Sequence, residues 1–213
     1  MHLTKLIFAT TALAAVAVAQ NPITADSPFQ VRYASNLTVG DSVINITNTG
    51  ANGASLFGPG FGGAVGNICV NVYAFSPDEQ LVSCCSCLVT PDGLVSLSVV
   101  NDLISNTLTG VRPSSVVVKL ISTLAGGNGS GTSCTNSAAT GGALATGLAA
   151  WGTTIHASAA GFATTETAFT PSTLSTGELA SVTNRCTNII GNGSTFGICR
   201  SCRAGGLGAA RSN

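Results

Sequence analysis

The chain has 213 residues, of which only 8% are charged, and its eight basic residues balance its eight acidic ones. Globular proteins carry about 25% charged residues on average, so this surface is predicted to be polar but nearly uncharged. The chain therefore lacks the basic patch that binding to nucleic acid or to anionic lipid requires, and we exclude both as partners.

The N-terminus has the pattern of an export signal. A short start containing one lysine precedes an apolar run over residues 6–18, and Ala17-Val18-Ala19 matches a small-x-small cleavage site. The run is shorter than the roughly 20 apolar residues of a membrane-spanning helix. We expect residues 1–19 to be a signal peptide, residues 20–213 to form a single β-rich domain, and the protein to be secreted or held at the cell surface without a membrane span.

Hydrophobic alternation predicts a mostly β fold. Phe29, Val31 and Tyr33 alternate with polar residues, as do Ile44 and Ile46, which is the pattern of half-buried strands. The predicted strands are 28–35, 42–47, 67–75, 81–90, 94–100, 115–123, 151–157 and 162–169. We expect an all-β fold, namely a disulfide-stapled β-sandwich of about eight short, mostly antiparallel strands with one C-terminal helix.

Two turns are predicted to join the third, fourth and fifth strands into a meander. Ser76-Pro77-Asp78-Glu79 has turn composition, and Thr90-Pro91-Asp92-Gly93 has proline and glycine at the second and fourth positions, as a type I turn prefers. The glycine-rich stretches 50–66 and 125–147 are predicted to be loops.

One helix is predicted over residues 176–190. Ser175-Thr176-Gly177-Glu178 is a capping box, in which the serine hydroxyl and the glutamate carboxylate each accept a hydrogen bond from a free backbone N–H. Apolar residues including Cys186 then recur at helical spacing, and Gly191 fits a left-handed C-terminal cap. We expect the apolar stripe of this helix to pack on the sheet.

The candidate site residues are mainly cysteines: Cys69, Cys84, Cys85, Cys87, Cys134, Cys186, Cys199 and Cys202. In an exported protein we expect them to form disulfides. The pair Cys199 and Cys202 also has the spacing of a zinc half-site, but no second half-site accompanies it and oxidation competes for the thiols. We therefore predict neither a metal site nor a cofactor.

Strand geometry restricts how these cysteines can pair. Successive strand residues face opposite sides, so Cys84 is predicted to staple a different layer from Cys85 and Cys87. If the turn after the third strand is a three-residue loop, Cys69 lies opposite Cys87, and the two could bond. We expect Cys186 to anchor the cysteine-tied C-terminal tail to the helix.

Few residues are candidates for catalysis, and we predict no catalytic site. After residue 19 the chain holds one histidine, His156, which we expect on the exposed face of its strand with Thr154 and opposite Trp151. Carboxylate pairs for glycoside hydrolysis remain possible among Asp41, Asp92, Asp102, Glu166 and Glu178. Of these, Asp92 is already explained by its turn and Glu178 by its helix cap.

Three classes of function fit these features. The first is an extracellular structural or adhesive protein, a subunit of a surface filament or layer that binds copies of itself. Its segment 20–35 could add a strand to a neighbour's sheet, although an ordinary edge strand of its own domain is the simpler interpretation. The second is a module that binds neutral glycans through Trp151, Tyr33 or Tyr73, although a single tryptophan is more often a core residue. A secreted hydrolase is the least favoured.

Overall fold

The structure of the protein is a computed structural model that describes residues 26–58, 63–135, 143–159, 161–200 and 202–204. The predicted signal peptide, residues 1–19, lies outside the described residues. The strands are β1 Phe29–Ala34, β2 Ser42–Asn48, β3 Ile68–Phe75, β4 Leu81–Val89, β5 Leu94–Ser98, β6 Val116–Leu124, β7 Leu148–Ser158, β8 Gly161–Ala168, β9 Thr170–Pro171 and β10 Arg203–Ala204. The helices are a one-turn π-helix Val99–Leu103, a 3-10 turn Ala125–Gly127 and α1 Thr176–Gly191.

The strands form two five-stranded antiparallel sheets that stack as a sandwich. The first sheet has the order β4-β3-β6-β1-β9, and the second has the order β10-β5-β2-β7-β8. Together with α1 and four disulfides, this architecture confirms the predicted disulfide-stapled β-sandwich with one C-terminal helix.

Two apolar clusters divide the molecule into three layers. One cluster fills the space between the sheets, where alternate residues such as Ile44, Val72 and Leu97 are fully buried. Each such side chain contributes about 1.5–3 kcal/mol when it leaves water. The other cluster lies on the outer face of the first sheet and joins Tyr73 to Val182 and neighbouring residues of α1. The helix is thus the third layer, packed on the sheet as predicted.

The predicted meander is wrong at its third strand. β3 pairs with β4, but β5 pairs with β2 in the second sheet. The turn that begins at Thr90 carries the chain from the first sheet to the second. In this turn the amide of Gly93 donates to the Thr90 carbonyl at 2.9 Å, and Asp92 has a φ of 61°. A positive φ at the third position belongs to a type II turn and not to the predicted type I turn.

Both ends of α1 differ from the prediction in one detail. Ser175 Oγ accepts the amide of Glu178 at 3.0 Å, which is half of the capping box. The Glu178 carboxylate forms a salt bridge with Lys119 of β6 instead of returning to the serine amide. At the other end the helix includes Gly191, and Gly193 is the residue with left-handed backbone, at φ 68°.

Candidate functional site

Four disulfides join all eight cysteines, in the pairs Cys69–Cys134, Cys84–Cys186, Cys85–Cys199 and Cys87–Cys202. Cys84 faces α1, whereas Cys85 and Cys87 face the inter-sheet core, so the central cluster staples two different layers. The expectation that Cys186 anchors the tail is wrong, because its partner is Cys84 of β4.

A β-bulge explains why Cys69 does not face Cys87. Phe75 pairs with Leu81 and Ala74 pairs with Ser83, so Val82 is an extra residue in β4. This insertion shifts the register by one residue and sets Cys69 opposite Leu88. Cys69 bonds instead to Cys134, in the segment that follows β6.

The C-terminal tail covers the edge of the first sheet beside β4. The amide of Cys84 donates to the Gly197 carbonyl at 2.9 Å, and the amide of Cys199 donates to the Cys84 carbonyl at 3.1 Å. Further along, β10 pairs with β5 at the edge of the second sheet. One short segment, fixed by two disulfides, therefore covers the adjacent edges of both sheets.

The cysteines have no thiolate to offer a metal ion, since Cys199 and Cys202 are both oxidised in disulfides. Within the described ranges, no group of three or more histidine, cysteine, aspartate or glutamate side chains is placed to hold a metal. In the same ranges no helix is long and apolar enough to cross a membrane.

The predicted facing of β7 is inverted. Thr154 is buried on the inner face, and Trp151 lies on the outer face with 37% of its surface exposed. His156 is half-buried at the end of the inner face, where its Nδ1 is 3.3 Å from the side-chain Nδ2 of Asn36. The tryptophan is therefore a surface residue, and the histidine is on the face opposite to it, as alternation requires.

Two of the candidate carboxylates do converge, at the start of the π-helix. Ser98 Oγ donates to Asp41 Oδ2 at 2.5 Å, and the amide of Ser98 donates to Asp102 Oδ2 at 2.7 Å. Asp41 Oδ1 also accepts the amide of Val100 at 3.0 Å. Both carboxylates are thus engaged with backbone and hydroxyl donors of the turn, which is a capping role and not an acid–base pair.

An arginine that the sequence analysis did not single out lies buried between the sheets. Arg32 of β1 is only 8% exposed, and its guanidinium donates to Ser42 Oγ, Thr154 Oγ1 and Thr167 Oγ1 at 2.8–3.0 Å. Burial lowers its pKa, although an arginine stays charged in proteins. The three hydroxyls belong to β2, β7 and β8, so this side chain ties the first sheet to three strands of the second.

Among the described residues, β8 is an edge strand of the second sheet with no strand paired to its outer side. All eight of its residues are exposed. The amide of Phe169, just after β8, donates to the Ala150 carbonyl of β7. In an antiparallel pair every second residue points its backbone N–H and C=O toward the partner strand. In this register Thr165 and Thr167 therefore also point their backbone groups toward β7. The backbone N–H and C=O groups pointing outward are those of Phe162, Thr164, Glu166 and Ala168.

The outer face of the second sheet carries a row of hydrogen-bonded polar side chains beside Trp151. Ser96 Oγ donates to Asn45 Oδ1 at 2.6 Å, and Asn45 Nδ2 donates to Thr153 Oγ1 at 3.3 Å. The Thr153 hydroxyl in turn donates to Glu166 of β8 at 3.2 Å. The row crosses β5, β2, β7 and β8, and Trp151 lies directly beside Asn45 in the β2–β7 ladder. Of the other aromatic candidates, Tyr33 is exposed on the first sheet and Tyr73 is buried under α1.

The fold and this edge define a disulfide-stapled β-sandwich with one long strand open to solvent. No family model, no curated protein and no solved structure matches the chain.

Proposed function

We propose that this protein is an extracellular structural or adhesive protein that assembles with copies of itself, as a subunit of a surface filament or layer. The observation that carries the proposal is the uncovered edge of β8. A sheet edge of this kind presents unpaired N–H and C=O groups, which are a template for pairing with another chain.

β8 lacks the features with which proteins usually block an edge. Its eight residues contain no proline, no lysine and one charge, on Glu166. Among the described strands, the other edges are short or covered: β9 and β10 have two residues each, and the tail covers β4. An edge strand of this length without blocking charges favours association over isolation.

Two further properties support the proposal, one for the extracellular place and one for assembly. Four disulfides are compatible with an extracellular protein, because oxidising compartments preserve them. The low charge of the whole chain also reduces the repulsion between copies that would oppose assembly.

The described part of the N-terminal segment, residues 26–35, does not supply the added strand; residues 20–25 lie outside the described residues. Residues 29–34 form β1, which lies inside the first sheet between β6 and β9. β1 also carries Arg32, whose hydrogen bonds hold the two sheets together. Donating this strand to a neighbour would open the protein's own core. β1 is therefore a strand of its own domain, but an inner strand and not the expected edge strand.

The proposal is tested by light scattering and negative-stain microscopy of the oxidised protein over a range of concentrations. We expect the wild type to associate and Thr164→Pro to remain monomeric, because proline removes an outward N–H without breaking a bond to β7. Thr164→Ala is the matched control, since it removes the same side chain and keeps the N–H. A wild type that stays monomeric at high concentration would sink the proposal.

A second candidate function is binding of neutral glycans at the outer face of the second sheet. The observation that favours it is the exposure of Trp151 beside the accessible part of the hydrogen-bonded row, namely Asn45, Thr153 and Glu166; Ser96, at the other end of the row, is fully buried. An exposed ring can stack on a sugar face while polar side chains bind its hydroxyls. One aromatic residue is a small platform, so this candidate ranks second.

A further inference from the structure

We infer that two copies of the chain pair β8 with β8 in antiparallel orientation around a two-fold axis at Thr165. The two second sheets then become one continuous ten-stranded sheet. This inference rests on the proposed function and specifies its first contact: the partner is a second copy, and one register is selected.

The backbone selects the register. The four residues with outward N–H and C=O groups are evenly spaced along β8. A two-fold axis at Thr165 sets Phe162 opposite Ala168 of the second copy and Thr164 opposite Glu166 of the second copy, so that all four residues pair. Moving the strands by two residues in either direction leaves one outward residue of each copy without a partner. The register with its two-fold axis at Thr165 therefore makes the most hydrogen bonds.

The single charge of the strand acts against the two shifted registers. One shift sets Glu166 opposite Glu166 of the second copy, and like charges directly opposite each other destabilise a strand pair. The other shift sets Glu166 opposite the ring of Phe162. In the inferred register Glu166 meets the hydroxyl of Thr164, which can donate a hydrogen bond to the carboxylate.

The same register accounts for two exposed aromatic side chains. Phe162 is 78% exposed and Trp151 is 37% exposed, and both lie on the outer face of the second sheet. Ala168 pairs with Trp151 across β7 and β8. In the dimer, Phe162 of the second copy stands on the other side of Ala168, where the small methyl group leaves room for the two rings to meet. In one copy the two rings lie at opposite ends of the β7–β8 ladder, and the pairing would join rings of the two copies into one apolar contact.

Cysteine cross-linking tests the register directly. Thr165 lies on the inferred axis, so it faces Thr165 of the second copy. The two residues form a non-hydrogen-bonded pair whose Cα atoms are about 4.5 Å apart, which is within disulfide reach. The native cysteines are all in disulfides, so Thr165→Cys introduces the one free thiol. Under mild oxidation we expect it to form covalent dimers about tenfold faster than Thr164→Cys and Glu166→Cys, the positions that face themselves in the shifted registers.

Thr165→Ser is the folding control, and the free thiols of every variant are counted. Fastest cross-linking at residue 164 or 166 would overturn the register. Absence of cross-linking in all three variants, while the wild type still associates, would overturn β8 as the contact and leave self-association standing. A monomeric wild type would overturn both this inference and the proposed function.

Discussion

The guanidinium of Arg32 lies against Gly152 so closely that a Cβ atom at the glycine would be 1.9 Å from Arg32 Cζ. The glycine thus provides the space in which a buried cation crosses from the first sheet to the second. Three hydroxyls and, within the described residues, no carboxylate bind this cation. The arrangement connects the core of the sandwich to Thr167 and hence to the β8 edge.

Gly152→Ala is expected to lower the free energy of unfolding by about 2–4 kcal/mol, because the guanidinium must move and lose hydrogen bonds while still buried. Urea unfolding measures the change. Gly177→Ala is the matched control: its Cβ would meet only Ser175 Oγ, at 3.9 Å, and alanine in a helix is expected to raise stability by up to about 1 kcal/mol. Equal effects at the two glycines would contradict the role given to Arg32.

Removing the disulfide between β4 and α1 is expected to loosen the helical layer. Cys84 and Cys186 are separated by 102 residues, and both are buried. We expect the double change to alanine to lower the unfolding free energy by about 2–5 kcal/mol.

Helical circular dichroism during urea unfolding measures the effect on α1. The control is the double change of Cys87 and Cys202 to alanine, which releases the tail and leaves the helix bonded to β4. We expect the helical signal to be lost earlier than the sheet signal in the first variant alone. Coincident loss in both variants would argue against a helix held chiefly by this bond.

Tyr73 makes the stability fall at high pH. It is 1% exposed under α1, and burial raises its pKa well above the ordinary value. The neutral phenol contributes fully to the free energy of unfolding below about pH 10, the pKa of tyrosine in the unfolded chain. As the pH rises from there toward the higher pKa of the folded state, this contribution is lost at up to about 1.4 kcal/mol per pH unit. Unfolding measured between pH 9 and about pH 11 should show a steeper decline for the wild type than for Tyr73→Phe. Parallel declines would refute the burial argument.

The second candidate function makes its own prediction. Trp151→Ala is expected to lower retention on neutral polysaccharide about tenfold, with a stability loss of about 1–3 kcal/mol because 37% of the residue is exposed and the rest is buried. Affinity electrophoresis measures the retention, and Tyr33→Ala, on the other sheet, is the control. Unchanged mobility of the wild type in every polysaccharide would eliminate this candidate.

Alternation and capping predicted the positions of the strands and the helix well, because side-chain period and capping are local properties. The crossing at Asp92 was missed because composition does not reveal a left-handed backbone at a non-glycine residue. The register of Cys69 was missed because the bulge at Val82 reflects packing on both faces of β4.

The candidate site was harder to predict for a related reason. Alternation separates Trp151 from His156 but does not say which of them meets the core. That choice is made by Arg32, far away in the sequence, which binds Thr154 from the opposite sheet. The openness of β8 likewise depends on how the sheets stack and not on its own eight residues.

Amide hydrogen exchange of β8 at low and high protein concentration tests the central claim most directly. Within the described part of the monomer, the outward amides of this strand have no partner strand, and we expect them to gain one on association. We predict that exchange over residues 161–168 slows as the concentration rises, that residues 29–34 are unaffected, and that Thr164→Pro abolishes the difference. Concentration-independent exchange of β8, in samples that light scattering shows to be associated, would contradict the account.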